Sequence, residues 1–201
     1  MRYRILGPIM AVVAALVTAS VFAGTAAQAG TIAQPSPKLQ AEQLVFDKVA
    51  KAADQQGAYR SLSSAQKSLF AEAMTHQAAT EVVSRTGRLP DTTANRGCWY
   101  HYQYDKWSNF DYVEGETWMQ LDWCSNGPSI TSYSVPVKGG RGDGGFSYDG
   151  VKGKGHLNVG WEIRQYVEFN FSIGPVHAYP CMQIRGGHTG RYSQSESCNL
   201  S

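Results

Sequence analysis

The sequence predicts a mainly β protein, an antiparallel β-sandwich or small barrel with two disulfides, preceded by a two-helix N-terminal segment. Three observations carry this. Several segments after residue 97 alternate apolar and polar residues between glycine- and proline-containing turns, the pattern of strands with one buried face. The four cysteines, Cys98, Cys124, Cys181 and Cys198, all lie in that same part. All five tryptophans lie there too, whereas Thr31 to Gly97 holds only Phe46, Tyr59 and Phe70 as aromatic residues.

The chain opens with Arg2 and Arg4, a small and apolar run from Ile9 to Phe22, and the small-x-small triplet Ala27-Gln28-Ala29. Residues 1–29 therefore read as a secretory signal peptide cleaved after Ala29. No later segment is apolar for long enough to span a bilayer, so the protein is expected to be secreted and extracellular, without integral membrane association. The two leader arginines account for the whole excess of 18 basic over 16 acidic residues, so the remainder is neutral. A broad basic footprint is absent, and nucleic acid is not expected as a partner. The sequence leaves the oligomeric state open.

Residues 30–97 read as a helical segment. A first helix over about 37–56 opens at Ser36-Pro37, a capping residue followed by proline in the first turn, and stops at Gly57. A second, over about 64–86, opens at Ser63 with Gln66 three residues on, a capping box. Phe70, Met74, Ala78 and Val82 recur every four residues along it, as one apolar stripe would.

Residues 98–201 read as the β-domain. "CWYHYQY", "TWMQLDWC" and "SITSYSVPV" are short strands, and "GWEIRQYVEFNFSI" is the clearest, with Trp161, Ile163, Val167, Phe169, Phe171 and Ile173 on one face. Pro128 denies Asn126-Gly127 the hydrogen bond of a tight two-residue hairpin, so a longer loop is expected there. The run from Gly139 to Gly155 is glycine-rich and reads as a long mobile connection between strands.

An even cysteine count in an exported chain reads as two disulfides. Four cysteines allow three connectivities. Sequential pairing has support: a hairpin joining Cys98 to Cys124 centres on Asp111 in "SNFDYVEG", and one joining Cys181 to Cys198 centres in "GGHTG", both loop-like. In the first register Trp99 faces Trp123, His101 faces Leu121 and Gln103 faces Met119, the more apolar set. The opposite face sets Tyr100 against Asp122, Tyr102 against Gln120, and Tyr104 against Trp118. Flat rings beside hydrogen-bonding groups suit a sugar, whose apolar face stacks on rings while its hydroxyls bond to Asp and Gln. Tyr100, Tyr102, Tyr104, Trp118, Gln120 and Asp122 are therefore the candidate ligand-binding residues. Whether the helical segment lies over this face is left open by the sequence.

Other chemistry is weakly indicated. No cysteine pair or histidine spacing suits a metal, there is no G-x-S-x-G or H-E-x-x-H, and neither a cofactor nor a catalytic residue is assigned. Gly140-x-Gly142-x-x-Gly145 matches a dinucleotide fingerprint in text only, because no helix can follow it. Arg141-Gly142-Asp143 reads as an exposed adhesion-type triplet. Asp143 and Asp149 lack the repeating acidic partners of a calcium loop.

The run "TWMQLDWCSNGPSITS", with Trp123-Cys124-Ser125-Asn126-Gly127 between strands and a cysteine-bearing tail, resembles small secreted actinobacterial proteins of uncharacterised function. The resemblance covers Cys98 onward. It implies a disulfide-stapled β-domain outside the cell and brings no catalytic residues. The leading expectation is a non-enzymatic binding protein for a polysaccharide or cell-wall component. One alternative is a secreted hydrolase with paired carboxylates such as Asp122 and Glu168. Another is a protein-directed effector or inhibitor acting through loops Lys138–Gly155 and Gly186–Arg191.

Overall fold

In the computed structural model, which describes residues 35–90 and 96–201, Ser36 caps the first helix, α1 (Pro37–Ala50), by accepting from Leu39 N at 3.2 Å. The signal-peptide expectation for residues 1–29 lies outside the described residues. α1 ends at Ala50 and not near residue 56. Asp54 then caps a separate short helix, α2 (Gln55–Arg60), through Gly57 N at 2.8 Å. Gly57 is thus inside a helix and does not end one; a Cβ there would lie 2.1 Å from the capping Asp54 carboxylate, so the cap needs glycine at this position. α3 (Ser64–Ala73) begins with the capping box read from Ser63 and Gln66.

The second expected helix is corrected beyond Ala73. Ala78–Leu89 forms strand β1, paired antiparallel with β2 (Gly97–Asn109) along its whole length, with a shift between Ala79 and Glu81. Phe70 and Met74 do point into a core, but Thr80, Val82, Val83 and Thr86 are β-branched and favour the extended chain. The helical segment therefore holds three helices and gives its last part to a sheet, and residues 35–201 cluster as one unit.

β2 continues through a two-residue turn, Phe110-Asp111, both at positive φ, into β3 (Tyr112–Ser125). Cys98 pairs with Cys124, and every cross-strand pair read from that register forms, down to Tyr104 opposite Trp118. Asn126–Ser129 makes the longer loop that Pro128 demands, closed by Asn126 N to Ser129 O at 3.1 Å. β4 (Ile130–Gly142) completes a four-stranded sheet of order β1-β2-β3-β4.

The second sheet holds β5 (Ser147–Asn158), β6 (Glu162–Ile173), β7 (Val176–Ala178), β8 (Cys181–Gly187) and β9 (Tyr192–Ser195), in order β5-β6-β8-β9, with β7 on β6. The inner faces of the two sheets share one core. Trp107, Met119, Leu121 and Trp123 come from the first sheet, and Ile163, Val167, Phe169, Phe171, Met182 and Ile184 from the second. This is the expected sandwich. Trp161 departs from the expected face: β6 starts one residue later, and the indole is 52% exposed.

The glycine-rich run is not a mobile connection. It is the end of β4, a tight turn closed by Phe146 N to Asp143 O at 2.9 Å, and most of β5. The glycines make room for rings: a Cβ on Gly139 would meet Trp118 at 3.0 Å, on Gly140 Tyr148 at 2.7 Å, and on Gly155 Tyr166 at 2.5 Å. Arg141 of the RGD triplet is held by Glu116, its Nη2 being 3.0 Å from both carboxylate oxygens.

The helices cap one end of the sandwich. Phe46, Val49 and Phe70 pack with Phe110 and Tyr112 of the β2–β3 turn, Phe146 of the β4–β5 turn, and Ile173 and Val176 of the β6–β7 turn. Asn109 Nδ2 donates to Ala73 O at 2.7 Å, and Gln55 Nε2 to Gly144 O at 3.0 Å, tying cap to strands. Among the described residues no helix is long and apolar enough to cross a membrane.

The second disulfide, Cys181–Cys198, fastens the C-terminal tail. The β8–β9 ladder ends at Gln183 and Ser195, and the tail then crosses the outer face of this sheet. Gln183 Nε2 donates to the carbonyls of Ser197 and Asn199, and Arg164 Nη1 to that of Leu200. Replacing both cysteines with serine is expected to cost about 3 kcal/mol, the value for a loop of this size. Calorimetry of the double variant checks this, and an unchanged melting temperature would contradict it.

Candidate functional site

Alternation along β2 and β3 puts every second side chain outward, and the pairing of four strands assembles these into rows. One row reads Val83, Tyr104, Trp118, Gly139. The next reads Arg85, Tyr102, Gln120, Val137, and the next Gly87, Tyr100, Asp122, Ser134. All six sequence-derived site residues are therefore on the outer face of the first sheet, each partly exposed. The helices, being an end cap, do not lie over it.

The neighbouring strands shape this face. A Cβ on Gly87 would lie 2.5 Å from the Tyr100 ring, and Gly139 serves Trp118 in the same way, so each ring leans over an adjacent strand instead of standing clear of the sheet. Gln120 Nε2 donates to Asp122 Oδ1 at 2.7 Å, which fixes the amide and leaves carboxylate and carbonyl oxygens as acceptors. Arg85, Leu89, Tyr100, Tyr102 and Gln120 line a depression of about 350 Å³. Arg85 and Leu89 belong to β1; Arg85 falls within the helix expected over about 64–86, and Leu89 just beyond it, so neither is placed on this face by the sequence.

At the rim, Glu81, Lys106, Glu116 and Arg141 form a row of alternating charge. The Tyr104 hydroxyl is pushed up to about 12, by burial first and then by its hydrogen bond to Glu116. It stays protonated at every ordinary pH and acts as a hydrogen-bonding group.

The paired-carboxylate arrangement does not assemble from the residues named for it. Asp122 points outward from the first sheet and Glu168 outward from the second, with the shared core between them. Glu168 is also held by Lys152 at 3.5 Å, and Glu162 by Arg164 at 2.7 Å. Two other carboxyls are perturbed, both by burial. Asp105 is raised to about 6 and receives Gln103 Nε2 on both oxygens, at 2.9 and 2.7 Å. Glu114 is raised to about 7 and accepts from Gln77. Asp105 continues the inward face of Trp99, His101 and Gln103, so its burial was readable from parity.

The histidine that the fold buries serves structure. His101 is fully buried, with Nε2 at 2.8 Å from Gln194 Oε1 and Nδ1 at 2.7 Å from the Thr86 hydroxyl. The Gln oxygen can only accept, so the proton sits on Nε2. Burial pushes this imidazole down and keeps it neutral. No group of three or more His, Cys, Asp or Glu that could hold a metal ion exists among the described residues.

Of the two segments considered as effector loops, the first is mostly strand and the second mostly turn. Lys138–Gly155 is β4, a turn and β5. In Gly186–Arg191 only the β8–β9 turn is free of the ladder, and it is braced by Trp123 Nε1 to Gly187 O at 3.0 Å. Comparison with protein-family models, with curated proteins and with solved structures finds no match to this chain.

Proposed function

We propose that the protein is a secreted, non-enzymatic binding protein whose outer aromatic sheet face takes a polysaccharide or another glycan of the cell envelope. The observation that supports this most is the gathering of Tyr100, Tyr102, Tyr104 and Trp118, with Gln120 and Asp122, on one sheet face that the helical cap leaves open. Rings on a regular strand spacing offer successive stacking surfaces to a chain of sugars, while the amide and carboxylate take hydroxyl protons. The rigid, disulfide-stapled sheet holds these groups in place before binding, which limits the entropy lost on association. Export rests on the leader-like N-terminus and agrees with two formed disulfides.

The test is a pull-down of the protein on insoluble polysaccharides and purified cell walls, followed by titration with soluble fragments of whatever retains it. Trp118→Ala and Tyr102→Ala are each expected to weaken binding about tenfold, the loss of roughly one stacking contact. Their far-ultraviolet circular dichroism should stay unchanged. Failure of the wild type on every glycan, or equal binding by both variants, would sink the reading.

A further inference from the structure

The second sheet carries a cleft of its own, of about 540 Å³, between Trp161 in the β5–β6 turn and the β8–β9 turn. Its lining includes Trp161, Arg185, His188, Arg191 and Tyr192. The two rings are 52% and 47% exposed, so half of each large apolar surface remains available to a ligand.

The cleft is electropositive. The Arg191 guanidinium makes no hydrogen bond or ion pair with any described residue. Arg185 spends Nε on Gln183 Oε1 at 2.7 Å and one Nη2 bond on the Ser201 carbonyl at 3.3 Å, leaving further donors. The acid in the lining, Glu162, is engaged by Arg164 at 2.7 Å.

The cleft is also preformed. His188 N donates to Trp161 O at 2.8 Å, joining the two turns directly. The Ser125 hydroxyl donates to His188 O at 2.7 Å, and His188 Nδ1 lies 2.5 Å from Gly127 O, so a third turn braces the pair. Gly187 N to Arg191 O at 2.7 Å closes the tip, and Gly190 rests against the Trp99 ring.

We propose that this cleft binds a sugar bearing a carboxylate, with the pyranose against Trp161 and the carboxylate on Arg191 and Arg185. The volume is that of a small-ligand site, guanidinium groups match carboxylate geometry, and an exposed indole next to cations is redundant for a bare inorganic anion. The carboxylate is either that of a uronate ring or that of a lactyl ether, as in N-acetylmuramic acid. The residues are distinct from those of the aromatic platform, so either reading can fail without the other.

The test titrates the full protein with trigalacturonate, its methyl ester, N-acetylmuramic acid and its lactyl carboxamide, read by tryptophan fluorescence and by the Trp161 indole NMR signal. One of the two acids is expected to bind, and which one identifies the source. The matching ester or amide is expected to bind roughly tenfold or more weakly, as is the acid to Arg191→Gln or Trp161→Ala. Both side chains are exposed, so the variants fold; Tyr102→Ala and Trp118→Ala should bind the acid as wild type does. Absence of binding by both acids, equal binding of acid and neutral derivative, or an acetate response of equal strength would overturn the proposal.

Discussion

Phe46→Ala is expected to destabilise the protein by about 3–5 kcal/mol, the usual cost of deleting a buried phenyl ring. Phe46 is fully buried, and its ring lies 6.0 Å from Phe70, 5.6 Å from Phe110, 6.1 Å from Tyr112 and 6.2 Å from Phe146. Those neighbours come from α3 and from two strand turns, so one ring bonds the helical cap to the sandwich. Phe110 also depends on it: this residue holds positive φ, unfavourable for phenylalanine, and packing on Phe46 helps to offset that cost. Urea unfolding checks the size of the loss, and a change under 1 kcal/mol would refute this account of the cap. The glycan affinity of the folded variant should be unaltered, because the platform shares no residue with the cap.

The stability of the protein should fall as pH rises from about 4.5 to about 7. Glu114 is fully buried and its carboxyl is pushed up to about 7 by that burial. The unfolded chain releases this proton near the ordinary carboxylate value, while the folded protein retains it to higher pH. The folded state therefore binds more protons within the window, and linkage requires stability to be full below it and lost as pH climbs through it. The loss from this one group is on the order of 3 kcal/mol. Asp105, raised to about 6 by burial, acts in the same direction at slightly lower pH. The Glu114 side chain also leaves Oε1 without a partner, as Asn109 leaves Oδ1, and a protonated carboxyl offers the donor that two acceptors lack. Glu114→Gln supplies such a donor at all pH values. It is expected to flatten most of the decline between pH 5 and pH 8, measured by thermal melts across that range. Equal slopes for variant and wild type would exclude Glu114 as the cause.

The parts legible in the sequence were those where two signals agreed. Along β2 and β3, alternation fixed which side chains share a face, and the cysteine pair fixed the register, so the Tyr104–Trp118 pairing and the whole platform could be written down. β1 was not legible because it is an edge strand, exposed over most of its length. It shows no alternation, and the spacing of Phe70, Met74, Ala78 and Val82 fits a helical stripe equally well. That error removed Arg85 from the platform. The cleft at Trp161 was invisible for another reason: its walls come from turns far apart in the chain, and Trp161 sits one residue outside the strand whose alternation it continues in the sequence. The glycines of β4 and β5 were read as slack because glycine alone says nothing about the ring that lies against it.

β4 and β5 each end a sheet, and an unpaired sheet edge is a template on which another chain can add a strand. Here the template is a poor one. Pro136 lacks the donor that an incoming strand would need. Lys138, Lys152 and Lys154 are exposed along the two edges and repel a second copy of the same edge. The glycines that shelter the rings offer such a neighbour little side-chain surface to grip. The residues that shape the outer face thus also discourage self-association at high concentration.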